Sequence, residues 1–368
     1  MTRRTWAPLI LLGLLGMFLS EVGVWNLQPL IAAFARAPLL TPHKVLMAHA
    51  VYLSLFLLAA HLIQRWRVDD VVSLLLMGSV YGLINEGLFA DKILVGRAPG
   101  PRVLGVPLLD LAFTGLSAHP AVDFLGAFLL YRAALTGRLG LEPGGPGGRG
   151  LRQWFGICLL WGALAFGSWH LRVFRGGIPL GWQAFSAAYV FVLLFVFGRL
   201  SAASGAQALP DPLLGRKGLL LCLAPILLSA VLWFLRLAGQ GRLGSFVFFL
   251  AVLAGYSLLT VVWVRSRPRV PEKSILDQCF PVRQAPPSLS ACLKLAAVAG
   301  AAFLVVRFAA VLPALRLLLA LVGVCLVFAG IVFAAAFPCC VLWRLLGRRA
   351  ALQAQQAHDL GETVGGDE

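Results

Sequence analysis

The chain of 368 residues is 60% hydrophobic and 12% charged, with a mean hydropathy of +0.88. A soluble globular protein is nearer half apolar and a quarter charged, so these values exclude that class and indicate an all-α, polytopic membrane protein. The formal net charge of +16 invites a nucleic-acid reading, but the Lys and Arg residues stand in short loops between apolar runs, where they set orientation, and not on one soluble face; nucleic acid is not an expected partner.

A spanning helix needs about 20 mostly apolar residues, and about ten transmembrane helices are expected, at roughly 7–30, 45–64, 71–90, 104–134, 153–171, 184–203, 218–236, 245–264, 291–312 and 317–343. An N-in, C-in arrangement puts 19 of the 31 basic residues in cytoplasmic loops and 10 in outer loops, with Lys294 and Arg307 inside the ninth span. That bias follows the positive-inside rule and predicts a multi-pass protein of the cell (inner) membrane. The first span follows Thr2-Arg3-Arg4, but its apolar run is too long for a leader and has no small-x-small cleavage site, so it is read as a span.

The second span carries His49 near its outer start, and the third ends outward at Asn85-Glu86. The fourth stretch is too long for one straight helix. Ser117-Ala118-His119-Pro120 reads as a helix start, since proline suits the first turn, with a short re-entrant piece before it from Leu104 to Leu116. The stretch Gly140 to Gly150 is a Gly/Pro-rich loop without the Gly-Lys-Ser/Thr of a phosphate loop. The fifth span ends at Trp169-His170. The segment Arg265 to Ser290 is the longest polar connection, suited to anionic lipid at the cytoplasmic surface. Cys339-Cys340, in the last span, reads as small apolar residues in a helix. The expected division is a membrane domain over 1–203 that carries the polar residues, a helical membrane scaffold over 204–349 and a disordered cytoplasmic tail over 350–368.

Ionisable residues inside hydrophobic helices cost several kcal/mol and mark sites by default. Here they are Glu21, His49, Glu86, His119, Asp123 and His170, and the topology puts all six in the outer half of the membrane. His119 and Asp123 are four apart and share a helix face, where a carboxylate orients an imidazole. Glu86 would act as general base toward a water, and His119 and His170 would position that water or support an oxyanion. Glu21, Asn85 and His49 are supporting candidates. A zinc ion held by His119, Asp123 and His170, with one position open to water, is the metal variant of the same site.

The order Asn85-Glu86, His119, His170 on successive spans, with Phe124 to Tyr131-Arg132 and Thr136-Gly137, resembles the CAAX-protease and bacteriocin-processing family of intramembrane glutamate proteases over residues 78–171. That resemblance implies that Glu86 activates water and the two histidines support the oxyanion. The pattern departs from the family at several points. Asn85 replaces the first Glu of the pair, and Lys92 is the nearest cation to the expected Arg. Phe113 lies six before His119 instead of four, and Phe174 stands where an Asn is expected after His170.

Three functions are carried forward. The first is an intramembrane hydrolase, a peptidase acting on a membrane-embedded peptide or, in the metal variant, a lipid hydrolase. The second is a proton- or ion-coupled transporter using Glu21, Glu86 and Asp123 as relays. The third is a non-catalytic integral membrane subunit whose polar cluster joins helices. The lipid bilayer is the expected surrounding, and the C-terminal helices are a candidate surface for a membrane protein partner.

Overall fold

The computed structural model describes residues 3–20, 41–90, 92–95, 100–128, 188–189, 191–197, 213–267, 274–279 and 335–347, with scattered positions between 289 and 332. Among them, four helices are long and apolar enough to cross a membrane: Leu46–Arg65, Val72–Phe89, Arg216–Gly239 and Leu243–Arg265. Shorter apolar helices cover Leu9–Ser20 and Ala335–Gly347.

In chain order, α1 is Arg3–Met17, α2 Thr41–Arg65 and α3 Val71–Ile84. Asp70 starts α3: its side chain accepts from the Ser73 N–H at 2.8 Å and from the Ser73 hydroxyl at 2.6 Å. That satisfies one of the donors a helix start leaves open. At its far end α3 widens into a π-helical turn, Asn85–Phe89, and the short α4 (Lys92–Val95) follows. Strands β1 (Arg102–Val103) and β2 (Val106–Pro107) make a small antiparallel hairpin. Leu104 at its tip has φ 49° and Gly105 has φ 86°. After the single turn α5 (Leu108–Asp110), the chain enters a π-helical segment, Leu111–Leu125. Later elements are the wide turn α6 (Leu193–Phe197), α7 (Arg216–Gly239), α8 (Leu243–Arg265), α9 (Ile275–Cys279) and α10 (Ala335–Gly347).

The stretch expected to break at His119-Pro120 does not break. Residues 108–125 run as one helix with Pro120 inside it, and the piece before it is a hairpin with a helical turn, not a re-entrant helix. The wide turns explain how. A π-helix bonds each N–H five residues back, so a proline at 120 removes the donor aimed at the Gly115 carbonyl. That oxygen lies against Gly82 of α3 instead.

The packing of α3 on the π-helical segment is the centre of the fold. Gly78 and Gly82, four apart, lie on one side of α3. A Cβ on Gly78 would stand 2.7 Å from the Pro120 Cα, and one on Gly82 would stand 2.9 Å from the His119 Cβ. This small-x-x-x-small spacing lets two helix backbones approach in a membrane, where no hydrophobic drive pulls helices together. Around the contact Phe56, Tyr81, Phe124 and Phe128 pack as an aromatic cluster with ring centroids 5.2–5.7 Å apart for the nearer pairs. The outward faces of α7 and α8 carry exposed leucine, valine and phenylalanine, among them Leu221, Leu228, Phe234, Leu235, Val247 and Leu258, the pattern expected of lipid-facing helices.

The end of α2 and the start of α3 are clasped by Arg267, just past α8. Its guanidinium donates to the carbonyls of Trp66 and Arg67 and lies 3.5 Å from both the Asp69 and the Asp70 carboxylates. The Ile275 N–H donates to the Val68 carbonyl at 2.6 Å, and Asp277 accepts from Ser274, so α9 is tied to the same turn. Burial, with the neighbouring Asp70 carboxylate, raises the Asp69 carboxyl above its usual range, and Arg267 offsets part of that.

Candidate functional site

Continuing the glycine stripe of α3 by four residues gives Glu86, which is 1% exposed. Across the contact stands His119, fully buried, and one turn further Asp123, also fully buried. His119 is bonded through both ring nitrogens: Nε2 to Glu86 Oε1 at 2.6 Å, and Nδ1 to Asp123 Oδ2. Glu86 Oε2 is 3.5 Å from the Lys92 ammonium. The result is a line, Asp123–His119–Glu86–Lys92, in which two acids alternate with an imidazole and a cation. Asp110, at the end of α5, lies within electrostatic range of Glu86 and Lys92.

Depth follows from helix rise. From Asp70 to Glu86 is 16 residues, about 24 Å at 1.5 Å each. The hydrocarbon core is about 30 Å thick, so the line lies near the face opposite Asp70. Lys92 ends the line on that side, with its side chain 23% exposed but its ammonium buried. Between the line and Asp70, the polar groups buried on α3 are the hydroxyls of Tyr81, of Ser79, which bonds the Leu75 and Leu116 carbonyls, and of Ser73. Among the described residues no acid or histidine of α3 continues the line toward the Asp70 end.

The π-helical turn that presents Glu86 is held from behind. Ser229 and Trp233 of α7 both donate to the Leu88 carbonyl, at 2.5 and 2.9 Å. The wide turn leaves this oxygen outside the α-helical ladder. A Cβ on Gly87 would run into the Phe249 ring of α8. The later helices therefore buttress the turn that carries Glu86.

A second polar set lies alongside. The Asn85 amide donates to the Tyr52 hydroxyl at 3.0 Å, and Tyr52 and Ser20 share a hydrogen bond of 2.7 Å. The Tyr81 ring meets His119 edge-on, with centroids 6.2 Å apart.

Of the residues expected from the sequence, Glu86, His119 and Asp123 converge, with Asn85 next to them. His49 does not join them: its Nε2 pairs with the Tyr189 hydroxyl at 2.7 Å in a separate contact. Glu21 and His170 lie outside the described residues. Two expected roles change. His119 holds a carboxylate at each nitrogen, so in this arrangement it offers neither nitrogen to an oxyanion nor to zinc. Among the described residues no three His, Cys, Asp or Glu side chains form a metal-binding group. The cation beside Glu86 is Lys92, at the start of α4. Lys92 stands six residues past Glu86, which in a chain that turns through π-helix into a new helix is close enough to pair. Ser20 and Tyr52 went unnoticed because hydroxyls in apolar helices carry no sequence signal of their own.

Helices of spanning length, exposed apolar faces and a buried line of charge define an integral membrane protein with an intramembrane polar site. A family model described as "Uncharacterized membrane protein family" matches residues 10–352, and the chain belongs to that family. This corrects the resemblance to the CAAX-protease family: the match spans nearly the whole chain, whereas that resemblance touched only residues 78–171. No curated protein and no solved structure matches the chain.

Proposed function

We propose that this protein is a membrane-embedded acid–base enzyme of the hydrolase class, acting from one face of the inner membrane on a membrane-embedded peptide or lipid. The observation that carries the reading is the buried line Asp123–His119–Glu86–Lys92, in which Glu86 Oε2 faces the Lys92 ammonium at 3.5 Å. Glu86 Oε2 faces Lys92 and takes the proton of an attacking water. The water oxygen bonds to the substrate carbonyl or ester centre, and the Lys92 ammonium stabilises the charge that develops there. His119, oriented by Asp123, shares the proton through Glu86 Oε1, and the proton then passes to the leaving group as its bond to the substrate breaks. Asp123 acts as an orienting carboxylate does in a catalytic triad: it holds the imidazole and takes no proton itself.

The one-sided placement of the line favours this reading over a transporter, which needs polar groups leading to both faces. A second reading has its own support. Four charges balance in pairs along the line, as they would in a subunit where the cluster only joins helices. Incubating the purified full chain with total membrane lipid and a membrane peptide digest in ¹⁸O-water tests the choice. A hydrolase incorporates ¹⁸O into products of the wild type and not of Glu86→Gln. Equal label in both would remove the enzyme reading and leave the joining role.

A further inference from the structure

Three helix ends meet on the face of the fold opposite Lys92. The Leu214 N–H, just before α7, donates to His61 Nδ1 of α2 at 3.2 Å. Arg65 stands one turn past His61, and Arg216 follows Leu214 at the start of α7, so both helix ends share this face. The bonds from Arg267 to the Trp66 and Arg67 carbonyls bring the end of α8, at Arg265, to the same place. Arg67 has φ 47°, a left-handed turn that carries the chain off α2. The corner therefore gathers Arg65, Arg67, Arg216, Lys217 and Arg265, all of them exposed.

The acids of this corner are already engaged. Asp69 and Asp70 lie 3.5 Å from Arg267, Asp70 also caps α3 through Ser73, and Asp277 accepts from Ser274. Among the described residues, none of the five exposed cations has an acidic partner. Like charges gathered at one corner repel unless an anion from outside lies among them. The tryptophans show what lies outside. Trp66, Trp263 and Trp343 all stand at this end; Trp343 is 80% exposed, and the Arg344 guanidinium packs over the Trp263 ring at 4.4 Å. Tryptophan collects at the level of the lipid headgroups. One turn inward from Lys217, Leu220 and Leu221 are exposed, an apolar surface directly below the cations.

We propose that this corner binds the phosphate of an anionic phospholipid in the leaflet on the Asp70 side, with Arg65, Arg67, Arg216, Lys217 and Arg265 as headgroup contacts and Leu220 and Leu221 beside the acyl chain. A zwitterionic lipid carries its own cation next to its phosphate and brings no net charge to the corner. A net negative headgroup does, and a guanidinium matches phosphate oxygens in geometry as well as charge. The bound lipid bridges the ends of α2, α7 and α8, the same elements that His61 and Arg267 tie from inside. The sequence points to the connection after Arg265 for such contacts, whereas four of these five cations come from α2, the turn after it and α7. The corner lies on the opposite face from the Glu86 line and binds lipid whether or not that line is catalytic.

The test is native mass spectrometry of the delipidated full-length protein in detergent, titrated with phosphatidylglycerol or with phosphatidylcholine of the same acyl chains. The wild type is expected to bind its first phosphatidylglycerol at least about 25-fold tighter than phosphatidylcholine, and Arg65→Gln with Arg216→Gln to lose about 25-fold of that affinity, at about fivefold for each cation near a headgroup. Phosphatidylcholine binding should be the same in wild type and variant. Lys217→Gln with Arg265→Gln carries the test if the first pair does not fold. Arg102→Gln, on the opposite face, is the control and should change the binding of neither lipid. An excess of inorganic phosphate should leave the bound lipid in place; displacement would assign the corner to a free anion and overturn the proposal. Equal wild-type affinity for the two lipids, undiminished phosphatidylglycerol binding in a folded double variant, or the same loss in Arg102→Gln overturns it as well.

Discussion

Gly82→Ala tests the geometry on which the site depends. An alanine Cβ at this position would stand 2.9 Å from the His119 Cβ, with the Gly115 carbonyl oxygen nearer still. Carbon atoms settle at about 3.5–4.0 Å, so α3 and the π-helical segment must part by roughly 0.6–1 Å. Backbone oxygen cannot swing aside as a side-chain end can, and the shift falls on the whole contact. The His119 Nε2 to Glu86 Oε1 distance of 2.6 Å would then lengthen to about 3.2–3.6 Å, at or past the limit for a useful hydrogen bond. Overpacking costs about 1–3 kcal/mol, and a weakened bond between charged groups adds about 1.5–3 kcal/mol. A loss of roughly 2.5–6 kcal/mol should lower the melting temperature by roughly 5–20 °C. The control is Gly255→Ala in α8, where nothing lies within 4 Å of the new Cβ; removing a helix-interior glycine there should leave stability equal or gain about 0.5–1 kcal/mol. Melting curves of both variants in the same detergent decide the matter. If Gly82→Ala melts with the wild type, within about 1 °C on the scale used above, the close approach is wrong, and the site built on it goes too.

Other expectations follow from the same contacts. His119→Ala leaves two buried carboxylates facing each other without the imidazole and should cost about 3–5 kcal/mol. The double change Asp123→Asn with His119→Gln should melt above His119→Ala, because it leaves Glu86 paired with Lys92 and no buried carboxylate unmatched; a lower melting point for the double variant would speak against a charged line. Trp233→Phe removes one of two donors to the Leu88 carbonyl and should cost about 0.5–1.5 kcal/mol, read by melting, with a larger loss when Ser229→Ala is added. At the other end of α3, the Asp69 carboxyl is raised by burial and by Asp70. A raised acid contributes stability that is full below its unfolded value and is lost as pH rises through the folded value. Asp69→Asn should therefore flatten the fall in melting temperature just above pH 4, and Arg267→Ala, which removes the offsetting cation, should steepen it.

The spanning helices could be read from apolar length alone, since a bilayer leaves few other solutions for an apolar segment of that size. Glu86, His119 and Asp123 could be read because a charge in such a segment stands out. Their convergence could not be read, since it depends on how two helices approach. The signal for that was present at Gly78 and Gly82, four apart and in line with Glu86, but a glycine pair names no partner helix. Around Pro120 the sequence pattern predicts a helix start, because proline suits a first turn. In a π-helical segment the missing N–H is tolerated elsewhere, and wide turns leave no mark in hydrophobic periodicity. The zinc and oxyanion roles assigned to His119 assumed a ring with a nitrogen to spare, and which way an imidazole's two nitrogens point is a property of its neighbours.

The position of the line also says what the rest of the chain contributes. A π-helical turn at the end of a membrane helix frees a carbonyl, and a freed carbonyl in an apolar setting costs several kcal/mol unless it finds a donor. Ser229 and Trp233 supply two donors to the one at Leu88. Phe249 packs where Gly87 leaves room for it, and Arg267 clasps the far end of the same helix through the α2–α3 turn. Residues between 229 and 267 thus hold both ends of α3, although none of them is part of the charged line. A wide turn held from outside can keep Glu86 in place while its proton load changes, because the backbone that carries it does not depend on the bond to His119. The later helices of the chain are therefore a support for the site, and loss of either Ser229 or Trp233 should move Glu86 before it unfolds α3.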